Sequence, residues 1–321
     1  MATKQLAPFP FERLDDVLLD KILMTTDDSL DLIKLSHVNG LFRRVVTTRA
    51  SSVEFQGLQY RFDVELELPE KETRERMEQF ARRLLGPHTR SLSFNRVDVL
   101  QARFFTNLLK NCANLRALYF NRCDNVSISF WKSIFRRAIP LKVPNLERLL
   151  VRLLWRPERE MRAFEDAVNE YLSSDRAAQL KAISLMNQSD DDSAWDVDNW
   201  KCVGLTEVNL CAAVSALARF RRLEKAALST DLEDVSALAS MDGEPLPLRW
   251  LLISPASSPD PWAPPAAAPR SLGADTRHAL LNFVRRCCPR LEIFRVEQAN
   301  IDCKTRADIE RLLQPAPHTA Q

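Results

Sequence analysis

The sequence predicts an α/β chain: three short helices at the N-terminus, then an irregular solenoid whose strands form a parallel sheet backed by helices. Three observations predict it. Beyond residue 50 one strand-sized template keeps returning (apolar, two residues, apolar, one residue, apolar), with starts about 18 to 43 residues apart. Segments with helical spacing precede most of its copies. Residues 11–46 carry that helical spacing three times, broken at Asp27-Asp28-Ser29 and at Asn39-Gly40.

A chain of 321 residues is long enough for one large or two modest domains, and 45% hydrophobic with 27% charged residues is ordinary for a globular protein. Lys plus Arg number 45 against 43 acidic residues, a net charge of +2, which argues against a nucleic-acid or anionic-membrane partner. The first fifteen residues lack the apolar core of a signal peptide, and no apolar run reaches membrane-spanning length. The seven cysteines have no framework spacing, which points to a reducing compartment, cytosol or nucleus.

In chain order, the first helix stacks Leu14, Leu18 and Ile22, with Leu19 and Leu23 beside them. The second carries Leu32, Leu35 and Val38, and the third Leu41, Phe42, Val45 and Val46. Helices this short cannot enclose so much apolar surface themselves, so part of the stripe should face another body. The strand template is clearest at Leu115-Leu118-Phe120, with Cys123 three further on. It recurs at Leu146-Leu149-Val151, Leu180-Ile183-Leu185, Leu205-Val208-Leu210, Leu223-Ala226-Leu228, Leu248-Leu251-Ile253 and Leu291-Phe294-Val296. Weaker copies stand at Thr89-Leu92-Phe94 and Val53-Phe55. Helices are expected over 99–112, 159–172 and 276–288. Each such unit leaves a face bare until the next covers it, which is why the units stack.

Two stretches leave the template. QSDDDSAWDVDNW (188–200) is acidic, and SPASSPDPWAPPAAAPRSLG (254–273) is rich in Pro, Ala and Ser; both are read as surface insertions. Residues 315–321 form a tail without packing signals.

Chemistry-bearing patterns are absent from the sequence. None of the six glycines belongs to a phosphate loop, the four histidines are far apart, and neither Cys-x-x-Cys nor His-Glu-x-x-His occurs. No cofactor, metal or catalytic residue is expected. Cysteines such as Cys287 and Cys288 fit as core thiols. The pairs Arg82-Arg83, Arg136-Arg137, Arg221-Arg222 and Arg285-Arg286 fall near expected helix C-termini, where cations complement the helix dipole.

Two surfaces remain as functional candidates. One is the apolar stripe of the N-terminal helices. The other is the strand face opposite the template residues, where alternate side chains point away from the core. On it, Tyr119, Arg148, Leu150, Arg152, Met186, Trp250 and Leu252 are expected to contact a protein target, since aromatic and Arg anchors dominate such interfaces.

The N-terminal pattern also resembles a family. Leu14-x-x-x-Leu18-Leu19-x-x-Ile22-Leu23, then Asp31-Leu32-x-x-Leu35-Ser36-x-Val38 and an aromatic at Phe42, is similar to an F-box over about forty residues. It departs from the family at Asp15, where Pro is usual, and at Phe42, where Trp is usual. The template series resembles the cysteine-containing leucine-rich repeats commonly fused to F-boxes, most closely at Cys112 and Cys123; most other units have lost the cysteine. The resemblance implies an adaptor-binding module at 8–49 and a leucine-rich-repeat, target-binding domain at 50–314. It implies that Leu14, Leu18, Ile22, Leu32, Leu35, Val38 and Phe42 contact the Skp adaptor, and through it a cullin-RING core. The chain would then be a non-catalytic substrate receptor of a ubiquitin ligase; the alternative is a leucine-rich-repeat scaffold that drives no ubiquitination.

Overall fold

A computed structural model describes residues 52–56, 85–97, 100–124, 126–153, 158–187, 195–212, 214–230, 245–255 and 274–296. The helices expected over 8–49, with all seven adaptor-facing residues, lie outside the described residues. So do Arg82-Arg83, 188–194, 256–273 and the tail.

The described chain is α/β, built on one nine-stranded parallel sheet whose spatial order is its sequence order. The strands are β1 (Ser52–Gln56), β2 (Ser91–Asn95), β3 (Ala117–Asn121), β4 (Arg148–Leu153), β5 (Ala182–Asn187), β6 (Glu207–Cys211), β7 (Lys225–Thr230), β8 (Trp250–Pro255) and β9 (Ile293–Val296). Parallel neighbours require a crossover. Here α1 (Ala102–Asn111) lies between β2 and β3, α2 (Ile128–Ser133) and α3 (Ile139–Lys142) between β3 and β4, α4 (Glu158–Leu172) between β4 and β5, and α5 (Ala274–Cys287) between β8 and β9. Shorter turns, Asp175–Ala177 and Val214–Arg219, serve before β5 and β7.

Register explains why the template recurs. Its second apolar residue forms one row across the sheet, Val53, Leu92, Leu118, Leu149, Ile183, Val208, Ala226, Leu251 and Phe294, each opposite the next. All are buried except Phe294, which is half-buried. Its third apolar residue forms a parallel row, buried from Phe94 through Phe120, Val151, Leu185, Leu210 and Leu228 to Ile253. Side chains alternate along a strand, so both rows face the helices and leave the opposite face open.

The first leucine of the template has a different task. Leu115, Leu146, Leu180, Leu205, Leu223 and Leu291 each donate their N–H to a carbonyl three residues earlier, on Cys112, Val143, Ala177, Cys202, Phe220 and Cys288. All six of those earlier residues are buried, so each unit enters its strand through a turn pinned at both ends by apolar side chains. Immediately afterwards, the carbonyls of Arg90, Arg116, Glu147, Lys181, Thr206, Glu224 and Arg249 each accept two consecutive N–H groups from the next unit at 2.7–3.1 Å. Seven copies of one hydrogen-bond arrangement fix the register of the sheet.

The helices pack by the apolar stripes the sequence predicts. Phe104 and Leu108 of α1, Met161, Phe164, Val168 and Tyr171 of α4, and Val284 and Cys287 of α5 are buried. Ser127 caps α2 by accepting the Phe130 N–H at 3.3 Å. Between α2 and α3 the chain widens into a π turn, Ile134–Ala138, where the Ile139 N–H reaches the Ile134 carbonyl. Pro140 supplies the cause: it has no N–H to continue the α ladder, and its ring needs room from the preceding turn. An aromatic chain joins these elements, from Phe94 through Phe105, Phe130, Trp131 and Phe164 to Trp195 and Trp200.

That chain corrects one expectation. Residues 195–200, read as part of a surface insertion, place Trp195, Val197 and Trp200 in the core at 5%, 4% and 1% exposure. The Trp195 N–H donates to the Cys211 carbonyl at 2.8 Å, and Trp200 Nε1 donates to Asn169 Oδ1 on α4 at 2.9 Å. Only the intervening Asp196, Asp198 and Asn199 stay exposed. Arg221-Arg222 also departs from expectation: it follows a 3₁₀ turn rather than ending a helix.

Candidate functional site

The open face of the sheet is the candidate site. Its floor is set by the residues between the core rows, and their pairing follows from the register. One row runs Ala117, Arg148, Ala182, Glu207, Lys225, Trp250, Ile293; the next runs Tyr119, Leu150, Ser184, Asn209, Ala227, Leu252, Arg295. Small residues, Ala117, Ala182, Ser184 and Ala227, are interspersed with larger ones along both rows.

Of the seven residues predicted to contact a target, five come together on three adjacent strands. Tyr119 and Leu150 are direct cross-strand partners and both are half-buried; Arg152 lies opposite Met186. Arg148 is exposed, and Met186 is 36% exposed although apolar. Trp250 and Leu252 are half-buried on β8, three strands beyond β5 and so about 14 Å away. Polar and charged residues fill the gap: Glu207 opposite Lys225, and Asn209, whose amide reaches Met186 Sδ at 3.3 Å. The prediction therefore splits into a β3–β5 patch and a separate β8 patch. Trp250 is joined there by Ile293, 43% exposed and not foreseen.

At the C-terminal ends of β2 and β3, sequence reasoning missed a repeated feature. Asn121 Nδ2 donates to Asn95 Oδ1 at 3.1 Å, tying the two strand ends together. The following residues, Arg96 and Arg122, both adopt left-handed backbone, with φ of 54° and 53°. Asn at the strand end was the available signal, since it recurs at the same template position in both units.

The opposite edge carries a ladder of charges. Glu147 bridges Arg116 at 3.4 Å and Lys181 at 3.2 Å, and Arg249 meets Glu292 at 2.6 Å. Beside them a groove of about 450 Å³ is lined by Arg116, Glu147, Gln179, Lys181 and Arg222 among others. These pairs are largely exposed and each contributes little to stability.

Five of the six described cysteines are buried, and Cys211, at the end of β6, is half-buried. Burial pushes the Cys112 thiol up to about 11, and those of Cys202 and Cys288 up to about 12. A native thiol raised this far stays protonated at neutral pH and does not act as a nucleophile. At about pH 8, iodoacetamide should label Cys112, Cys202 and Cys288 at least about a hundredfold more slowly in the native chain than in urea. Peptide mass spectrometry over a time course reads this; native labelling as fast as in urea would refute the burial assignment. The linkage has a sign too. Unfolded thiols ionise near 9.0 while native ones keep their protons, so stability falls as pH rises above about 9.

Among the described residues no group of three or more His, Cys, Asp or Glu side chains is placed to hold a metal ion. No described helix is long and apolar enough to cross a membrane. No family model matches the chain, and no curated protein shows significant similarity to it.

Proposed function

We propose that the chain is the substrate-recognition subunit of an SCF-type ubiquitin ligase. In this reading residues 8–49 are an F-box that holds the Skp adaptor, and the nine strands belong to a leucine-rich-repeat solenoid whose open, concave face receives a protein target. The observation that carries it is the strict sequential parallel order, with one strand-entry hydrogen-bond arrangement repeated seven times. A repeat array builds such order unit by unit, and it stands directly behind a sequence with F-box spacing. An open face bearing Tyr119, Leu150 and Met186 beside two arginines supports the target-binding role.

The chain needs no catalytic group for this. It raises the effective concentration of a target lysine near a charged ubiquitin-conjugating enzyme, and its own side chains stay away from the bond being made. Such a receptor works in the cytoplasm or nucleus.

Reconstitution with purified adaptor, cullin and RING protein tests the reading. Co-elution of all four in one peak is the expected result. A chain that excludes adaptor and cullin overturns it, and a stable complex with another partner in their absence favours the scaffold alternative.

A further inference from the structure

We infer that the β2–β4 end of the open face docks an acidic segment of a target protein, in which two carboxylate side chains flank an apolar one. This deepens the receptor reading and rests on it.

Arg148 and Arg152 stand on the same face of β4, four residues and hence about 13 Å apart. Between them Leu150 pairs with Tyr119 in an apolar floor. Arg96 and Arg122 directly follow β2 and β3, so Arg96, Arg122 and Arg152 occupy the ends of three adjacent strands. Their backbones are joined, the Arg96 N–H donating to the Asn121 carbonyl and the Arg122 N–H to the Arg152 carbonyl, both at 2.8 Å. Left-handed backbone at Arg96 and Arg122 would suit glycine better, so two successive units hold an arginine there against a conformational cost.

Nothing in the described part of the chain neutralises this cluster. Among the described residues none of the four guanidinium groups enters an ion pair or a hydrogen bond, although Asp124 lies only two residues beyond Arg122. Arg152 Nε is buried without a partner, as is Asn121 Oδ1 at the facing position of β3. The acidic Glu207 on the face lies on β6, two strands from β4. Guanidinium groups without counter-charge attract acidic partners and bind carboxylates through two parallel N–H donors.

An extended segment repeats its side-chain direction every second residue. A sequence of acidic, any, apolar, any, acidic therefore sets its carboxylates about 13 Å apart, matching Arg148 and Arg152, with the apolar side chain over Leu150 and Tyr119. A neutral or basic segment of the same shape leaves the arginines unpaired.

The test uses the full chain and fluorescein-labelled peptides containing Glu-Ser-Leu-Ser-Glu, with Gln and Lys versions of the two acidic positions, read by fluorescence anisotropy. The Glu peptide should bind at least tenfold more tightly than the Gln peptide, and the advantage should shrink as salt rises from about 50 to about 300 mM. The Arg148→Glu, Arg152→Glu double variant should reverse the preference towards the Lys peptide. If the double variant fails to fold, Arg148→Glu alone, at an exposed site, should reduce the Glu preference at least threefold. Glu and Gln peptides within twofold of each other, or no binding up to about 1 mM, overturn the inference. A preference unchanged in Arg148→Glu does so too, and so does binding restricted to phosphoserine versions. Adaptor capture by the same preparations separates the two readings. Capture without acidic preference rejects only the docking inference, whereas acidic preference without capture rejects the ligase role.

Discussion

Phe120→Ala should cost about 3–5 kcal/mol, the largest single loss expected in the sheet. Phe120 is completely buried at the centre of the aromatic chain. Its ring lies 5.4 Å from Phe94, 5.6 Å from Phe105, 6.3 Å from Phe130 and 5.0 Å from Trp131, centroid to centroid. Truncation removes the buried area and four ring contacts at once, and the neighbours belong to β2, α1 and α2, which cannot all close in on the gap. One residue earlier, Tyr119 points to the open face and is half-buried, so Tyr119→Ala should cost no more than about 1 kcal/mol. Urea unfolding followed by far-UV circular dichroism measures both variants. Equal losses would mean that the alternation of core and open faces across β3 is wrong.

That alternation is the part of the architecture the chain states openly. Strand residues repeat every second position and the template requires two buried ones per unit, so every strand and both core rows are legible from the apolar spacing alone. Even Ala226, a poor hydrophobe, is placed correctly because Leu223 and Leu228 bracket it. The entry turns were half-legible: their leucines stand in the template, but the buried residue three positions earlier changes from Cys to Val, Ala and Phe, so only its apolar character persists. Residues 195–200 were misread because acidic residues dominate a window whose apolar members, Trp195, Val197 and Trp200, each occupy a separate buried place. The candidate site was legible as a set of face residues and not as a shape. Alternation assigns Trp250 and Tyr119 to one face, but only strand order shows that four strands lie between β3 and β8. The arginines after β2 and β3 gave no signal, since left-handed backbone is normally announced by Gly or Asn.

Leu18→Asp should abolish adaptor capture while leaving the sheet intact. Under the proposed function Leu18 sits in the middle of the apolar stripe that runs from Leu14 to Ile22 and meets the adaptor. Losing a buried leucine removes about 1.5–3 kcal/mol, and forcing a carboxylate into the same dry contact adds a desolvation penalty of at least about 1–3 kcal/mol. Together these weaken binding by about fiftyfold or more, since each 1.4 kcal/mol is about a factor of ten. Among the described residues the core runs from Val53 onward, and under the proposed function Leu18 faces the adaptor, so the variant's far-UV spectrum and its Glu-peptide preference should match the unchanged chain. Arg148→Glu is the mirror experiment, expected to keep the adaptor and lose the acidic ligand. Pulldown of purified adaptor on both variants decides the matter. Adaptor retained by Leu18→Asp at unchanged affinity removes the N-terminal stripe as the docking surface, because no interface that buries this leucine tolerates a charge in its place.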